Sequence, residues 1–391
     1  MIKFVIGSTG PIPRDKRSDL PVRRRSIKFD MERISSPLGQ AIKEAIVTTI
    51  QTIEHRFDRL PIPVRYRASG AIEAWTTARS LSGRDGKKLA ALLADPNQQV
   101  LELIDDLDDF VTSSLGQPRS TVDERDMSDI YTRSAICQAF WLRQGALYEP
   151  TSALHRLLEA SDIASDVPMS LLRLPAPAVC IVPEPSLRDR PDGFEALMVF
   201  EHMSRDGSDD CARHFTIFVW PHEDLPQPLL DMQTLTVFAG DKSRTIDEVI
   251  TYLSLNHGLE GEALAFWRRV LDYVVKVLLY LSLDVASVIH ERRHSAAPRA
   301  FAGLGKRKRL ERLQAIEGLY DRYVVGPAVL SEISGPRGVS NDGNHEVRAH
   351  WRRGHFRMQA HGPAAAQRKL IFVMPVLVRA DRLGADCTVE S

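Results

Sequence analysis

Residues 194–220 read FEALMVFEHMSRDGSDDCARHFTIFVW, and this stretch decides the fold. Two runs rich in β-branched and aromatic residues, 194–202 and 213–220, flank the polar segment Asp206-Gly207-Ser208-Asp209, which has the composition of a turn. The stretch therefore predicts an antiparallel hairpin. Similar short runs occupy 178–182 and 234–239, so we expect a central antiparallel sheet.

Upstream of this sheet, residues 31–165 have a helical pattern. Apolar residues recur every three to four positions in 38–57 and again in 100–110. The opposite face of the second stripe is acidic, which is typical of a solvated helix face rather than a metal site. A third helix is predicted over 128–148.

Downstream of the sheet, Thr245-Ile246-Asp247-Glu248 forms a capping box that opens a helix. A long apolar helix comes next, at about 262–289. Charges at Arg268, Arg269, Asp272 and Lys276 interrupt it, whereas a bilayer span needs about 20 nearly uncharged residues. We therefore expect a buried core helix and an α+β fold, with a helical N-terminal part, a central antiparallel sheet packed on the long helix, and a two-stranded basic tail.

Changes in composition divide the chain into five predicted segments. They are a basic Pro-rich arm (1–30), a helical domain (31–165), an α+β domain (166–294), a linker with a short basic helix (295–344) and an Arg/His-rich strand pair (345–391).

Bulk composition excludes several protein classes. Lys+Arg and Asp+Glu each number 51, so whole-chain charge does not select a partner. The four cysteines are not closely spaced, which indicates reduced thiols rather than a disulfide framework or a zinc site. The N-terminus has the reverse of the order found in a signal peptide, with its apolar residues before its charges. We expect a cytoplasmic protein.

Motifs for catalysis fail on their spacing. No Gly-rich turn ends in Gly-Lys-Ser/Thr, and no Gly-x-Ser-x-Gly occurs. His222-Glu223 begins a zincin pattern, but Pro226 stands where the second histidine is needed. The sequence thus predicts no cofactor and carries no recognisable catalytic motif, which leaves an enzymatic role open but not favoured.

The C-terminal tail concentrates cations, histidines and aromatic residues. Between His345 and Lys369 there are six Lys or Arg residues, four histidines and one acid, Glu346. A metal site is disfavoured, because histidines five positions apart alternate faces on a strand. Arginine binds phosphates and carboxylates through a fork of donors, and aromatic rings supply flat apolar area. The predicted binding residues are Arg348, His350, Trp351, Arg352, Arg353, His355, Phe356, Arg357 and Arg368.

Three interpretations of this tail stay open. It is a recognition surface for RNA or for a peptide with acidic and backbone oxygens. Alternatively it is a ribonuclease site, with His350 and His355 as general acid and base and arginines stabilising phosphate charge. The third interpretation is a structural hairpin with arginine and tryptophan stacked on its wet face.

Two strings in this tail carry a family resemblance. They are VRAHWRRGHF at 347–356 and RKLIFVMPVLV at 368–378, with Gly362 between them. They resemble the C-terminal signature of the plasmid- and phage-borne anti-CRISPR family directed against type V-A systems, whose tail runs Arg-x-His-x-Arg-Arg-x-His-Trp. Phe356 stands where the family often has tryptophan, and Val373 and Met374 stand where it has a tryptophan before the last proline.

The resemblance implies a specific activity. Members of this family lower the amount of the type V-A effector nuclease by recognising the N-terminal segment of the nascent effector, after which its message is lost. The implied partners are that nascent peptide and, through it, the ribosome or the mRNA. Binding rather than catalysis is the implied mode of action.

Overall fold

The computed structural model describes residues 2–6, 57, 59–73, 76, 84–100, 103, 124–188, 193–205, 211–221, 233–239, 244–249, 251, 261–329 and 350–378. The helices are α1 Ile62–Ala68, α2 Arg84–Ala94, α3 Glu124–Leu142, α4 Ser152–Glu159, α5 Pro185–Arg188, α6 Gly261–Leu281 and α7 Lys306–Glu317. The strands are β1 Ile2–Ile6, β2 Ala146–Pro150, β3 Ser161–Ile163, β4 Ala178–Ile181, β5 Phe194–Arg205, β6 Cys211–Pro221, β7 Gln233–Phe238, β8 Val288–Arg292, β9 Asp321–Val325, β10 His350–Arg352, β11 Gly354–His361, β12 Gln367–Val373 and β13 Val376–Val378. Single 3₁₀ turns occupy Met169–Leu171 and Pro363–Ala365.

The chain folds into two compact units, each built from three chain segments. Unit 1 comprises 1–148, 174–240 and 290–323, and unit 2 comprises 149–173, 241–289 and 324–391. The five segments predicted from composition are consecutive in sequence, whereas each compact unit combines three separate stretches of the chain. The five-segment division therefore stays a prediction.

An eight-stranded sheet organises unit 1, in the order β1-β7-β6-β5-β4-β2-β9-β8. The predicted hairpin is present, since β5 and β6 pair antiparallel from Phe194↔Pro221 to Arg205↔Cys211. Strands β4 and β7 extend the antiparallel run on either side. The sheet is mixed rather than purely antiparallel, because β1 joins β7, and β2 joins β4, in parallel.

The core of unit 1 lies between this sheet and α3. Leu147, Cys180, Met198 and Phe218 face one another across four strands. They share one buried cluster with α3 residues that include Phe140. A fully buried side chain of this size stabilises the fold by about 1.5–3 kcal/mol, so this row of side chains fixes the register of the sheet.

Helix α3 ends earlier than the sequence predicts, at Leu142 rather than near 148. Gln144 has a positive φ of 55°. Its backbone N–H donates to the carbonyl of Trp141, and the N–H of Gly145 donates to the carbonyl of Phe140, 2.8 Å away. This is a Schellman termination, and the chain then continues as β2.

Two segments of unit 1 differ from their predicted descriptions. The first residues of the predicted basic arm form β1, and the cations that follow them lie outside the described residues. The predicted linker contains the expected short helix, α7, but it also supplies β9 to the sheet.

Unit 2 contains the long apolar helix and the tail. Helix α6 is buried over most of its length, as predicted, but it ends at Leu281 instead of near 289. Among the described helices, none combines the length and the apolarity that a bilayer span requires. The predicted capping box is confirmed, since the N–H of Thr245 donates to Oε2 of Glu248 at 2.8 Å and the N–H of Glu248 donates to Oγ1 of Thr245.

The α+β class is confirmed, with a central antiparallel run of strands and a long buried helix. The tail is more elaborate than a strand pair. Strands β11 and β12 form an antiparallel hairpin that β3 joins in parallel, and β10 pairs separately with β13. Arg353 separates the two strands on one side, and Met374 with Pro375 separates them on the other.

Candidate functional site

The candidate site is the three-stranded sheet of unit 2, in the order β12-β11-β3. Its β11 and β12 register runs from His355↔Val373 to His361↔Gln367. Gly354 opens β11 at a close approach of backbones, because a Cβ there would lie 2.5 Å from Oγ of Ser161 and 2.8 Å from the carbonyl oxygen of Val373. The sequence therefore needs glycine at this point to bring β11 against β3.

One side of this sheet, here called its core face, carries Phe356 and its register partners. Phe356 is fully buried, and its ring stacks on that of Phe372 with centroids 4.5 Å apart. Phe372 in turn meets Tyr280 of α6 edge to face at 6.5 Å. The sequence predicts Phe356 to be a flat anchor for a ligand, but the structure places it in the core, out of reach of one.

The other side, here called the outer face, is basic. Side chains alternate along a strand, so His355, Arg357 and His361 of β11 share this face with Lys369 and Ile371 of β12. Arg357 and Lys369 are exposed, and His355 is half-buried. The outer face therefore presents cations to solvent beside a strip of apolar surface.

The predicted site residues do not all meet. Arg357 pairs in register with Ile371, whereas Arg368 pairs with Ala360, which places the two arginines on opposite faces. Arg352 lies in β10 and is exposed. The backbones of His350 and Trp351 belong to β10, and Arg348 lies outside the described residues.

Acids from distant parts of the chain approach the cations of the tail, which the sequence analysis did not anticipate. Nε of Arg353 lies 3.0 Å from Oδ2 of Asp162, and its guanidinium also donates to the carbonyl of Glu159. Nζ of Lys369 lies 3.4 Å from Oδ2 of Asp284. These pairs join residues far apart in sequence, so no local pattern could have revealed them.

Helix α6 carries an ion pair near Asp162 and Arg353, with Lys276 buried and Asp272 half-exposed. Nζ of Lys276 donates to Oδ2 of Asp272 at 2.6 Å. Burial raises the pKa of Asp272, and the nearby Asp162 raises it further, while Lys276 and Arg353 oppose the shift. Arg353 of the tail therefore lies close enough to α6 to favour the charged form of Asp272.

Within the described part of the chain, no three His, Cys, Asp or Glu side chains converge as metal ligands would. His355 and His361 are six residues apart on one strand, a separation of about 20 Å. The arrangement is chemically suited to binding anionic or extended polar ligands through exposed guanidinium and ammonium groups.

Comparison with known proteins identifies the family. No curated protein matches the chain. Among solved structures, the chain is similar to one described as a crystal structure of AcrVA2, with 14% identity, a TM-score of 0.43, and coverage of 85% of this chain and 98% of that one. The model of the AcrVA2-like family, described as anti-CRISPR type V subtype A2, matches residues 148–380, which is more than half of the 391 residues. The chain therefore belongs to the anti-CRISPR type V subtype A2 family.

Proposed function

We propose that this chain lowers the level of a type V-A effector nuclease by recognising the N-terminal segment of the nascent effector during translation, after which the message is lost. Its family membership supports an action against type V-A CRISPR systems. The partner is an extended polypeptide emerging from the ribosome, and the chain acts by binding.

The observation that carries this proposal is the β12 edge of the C-terminal sheet, which no other described strand pairs with. Strand β12 is the outermost strand of β12-β11-β3 among the described residues. An exposed edge offers unpaired N–H and C=O groups to a further strand, and an extended peptide can add there by main-chain hydrogen bonds. A nascent chain that has not yet folded is available in this extended form.

The outer face of β12 would select the sequence of that peptide. Lys369, Ile371 and Val373 alternate along this face, one exposed and two half-buried. Cross-strand neighbours contribute about 0.2–1 kcal/mol each, and opposite charges or paired apolar side chains are favourable. We therefore expect the edge to prefer a segment that places an acidic residue opposite Lys369 and apolar residues opposite the other two.

The first experiment separates recognition of the peptide from recognition of the message. The N-terminal coding region of the effector is fused to a reporter, and reporter protein and mRNA are measured with and without this chain. One recoded gene changes the codons but keeps the peptide, and a second carries paired frameshifts that change the peptide but keep most of the nucleotides. Silencing should persist with the first gene and disappear with the second.

The opposite pattern would refute peptide recognition and point to the RNA sequence itself. Cleavage of the purified message by the purified chain, without ribosomes, would assign the chemistry to the chain and support the ribonuclease alternative instead.

Charge reversal then tests the site. Arg357→Glu with Lys369→Glu replaces both exposed cations of the outer face and should abolish silencing while leaving the fold intact. Lys87→Glu with Lys88→Glu, at exposed positions of α2 in unit 1, is the matched control and should silence normally. Full silencing by the folded double variant would exclude the outer face as the recognition surface.

A further inference from the structure

The second cationic surface of the chain is helix α7 in unit 1. Five of its first seven residues are Lys or Arg, and all seven positions are exposed. We call Lys306, Arg307, Lys308, Arg309 and Arg312 the basic helix surface. Unit 1 takes no part in the peptide site proposed above, so a role for this surface is independent of that proposal.

Packing does not account for these cations. Ile316 is the buried residue of α7. The helix is held at its C-terminal end, where Glu317 lies 3.7 Å from Nε of Arg67 and its carbonyl accepts a hydrogen bond from the same guanidinium. His294 also approaches Glu317 there, with Nε2 3.9 Å from its carboxylate. The first two turns are left facing solvent.

The cations of the basic helix surface also destabilise α7 electrostatically. Four cations in the first turn oppose the helix dipole, whose positive end lies there, and the first turn holds no acid. Among the described residues, the one acid that pairs with this surface is Glu311, which lies 3.2 Å from Nε of Arg307. Both of those side chains are largely exposed, so most of the positive charge is uncompensated. The arrangement destabilises the helix alone and becomes favourable against a polyanion.

The distribution of the charges indicates the class of polyanion. Protein–protein interfaces usually have an apolar, fully buried core, and within the first seven positions of α7 the exposed large apolar residue is Leu310. At about 100° per residue, Lys306, Lys308, Arg309 and Arg312 fall within about 160° of the helix circumference, so one strand can contact all four. A phosphate backbone is bound mainly through cations and needs little apolar surface, which is the composition of this helix.

We propose that the basic helix surface binds the phosphate backbone of RNA. Residues 306–312, which hold all the cations of α7, span about 10 Å, which matches about four phosphates spaced by about 3.4 Å. Arg299 extends the track at the far end, where its guanidinium lies 3.2 Å from Nε2 of His294. The contact is electrostatic and independent of sequence, which suits a protein that must find its target at the ribosome or on a message.

The test measures binding of a fluorescent single-stranded oligouridylate to the full chain between about 50 and 200 mM salt. The helix variant replaces Lys306, Lys308, Arg309 and Arg312 with alanine, which is the best helix former and leaves the Arg307–Glu311 pair in place. Each phosphate contact contributes about 0.7 to the slope of log K against log salt. The variant should lower that slope by about 3 and weaken binding by on the order of 10²–10³-fold.

A matched control removes four exposed cations that neither proposal uses, with Lys87, Lys88, Arg156 and Arg173 replaced by alanine. It should bind RNA as the unaltered chain does, and circular dichroism should show both variants folded. RNA binding that is kept in the helix variant, or that is lost as strongly in this control, would overturn the proposal. The proposal also fails if the unaltered chain binds polyglutamate more tightly than the oligouridylate, since the partner would then be an acidic polypeptide.

Discussion

Replacing Phe356 with alanine distinguishes a core residue from a ligand anchor. The side chain is fully buried, stacks on Phe372 at 4.5 Å, and lies in the strand that both β3 and β12 pair with. Removing a buried phenylalanine costs about 3–5 kcal/mol, and an aromatic pair contributes about 0.5–1.5 kcal/mol beyond its area. We expect a loss of about 4 kcal/mol, a large fraction of the roughly 5–15 kcal/mol that typically stabilises a domain.

Hydrogen exchange is the appropriate assay, because a chain of two units does not unfold as one two-state transition. A loss of about 4 kcal/mol corresponds to a factor of about 10³ in the opening equilibrium. Amides of β11 and β12 should therefore exchange about 10³ times faster in Phe356→Ala, while those of β5 and β6 in unit 1 keep their protection. Phe356→Leu retains most of the buried volume and should lose about 1–1.5 kcal/mol.

The core assignment would be refuted by unchanged exchange in β11 and β12 together with lost silencing of the effector. That combination would mean that Phe356 leaves the core to meet a ligand and that the packing described above is dispensable.

Two further substitutions probe the backbone and the protonation of the fold. Gly326 has a φ of 100°, and a Cβ there would overlap Cβ of Leu154, so Gly326→Ala should cost about 3 kcal/mol and lower the melting temperature of unit 2 in calorimetry. In unit 1, burial, His214 and Arg143 lower the pKa of His202 to about 4. The unfolded chain therefore binds a proton that the folded chain does not, and stability should fall as pH drops from about 6.5 towards 4, by about 2 kcal/mol at pH 5. His202→Phe should remove that part of the pH dependence in urea unfolding, and an unchanged profile would show that His202 titrates normally.

Sequence periodicity is sufficient for the central strands and for the class of the fold. Runs of β-branched and aromatic residues bounded by polar turns predict β4, β5, β6 and β7 to within a few residues. The capping box at Thr245 is equally accessible, since both of its hydrogen bonds follow from residue types three positions apart. These patterns are local in sequence. They predict the structure correctly because the apolar residues that define them are also the residues that the core buries.

Helix ends and topology are not accessible in the same way. Helix α3 stops because Gln144 adopts a left-handed conformation that glycine or asparagine usually fills, whereas the glycine of this sequence stands one position later, at Gly145. The apolar pattern of α6 predicts a helix that includes Val285 and Ile289, but both are largely exposed beyond its end. Strand β1 pairs in parallel with β7, and β3 pairs in parallel with β11. Both pairings join residues distant in the chain, and no local sequence period encodes them.

The tail shows why a signature of residue types does not by itself define a binding site. In the structure, some residues of this signature build the sheet and others are exposed to solvent. Gly354 and Phe356 build the sheet, through a close backbone approach and a buried ring, while Arg352 and Arg357 reach solvent.

The same division explains the departure at Phe356 from the resembling tails, which often have tryptophan there. Since the ring at this position packs against Phe372 and not against solvent, the exchange of tryptophan for phenylalanine is an adjustment of core volume and leaves the outer face unchanged. Under the proposed recognition of a nascent peptide, differences in specificity among such tails should follow the residues of the outer face, at Arg357 and along β12, the strand whose edge the peptide would join.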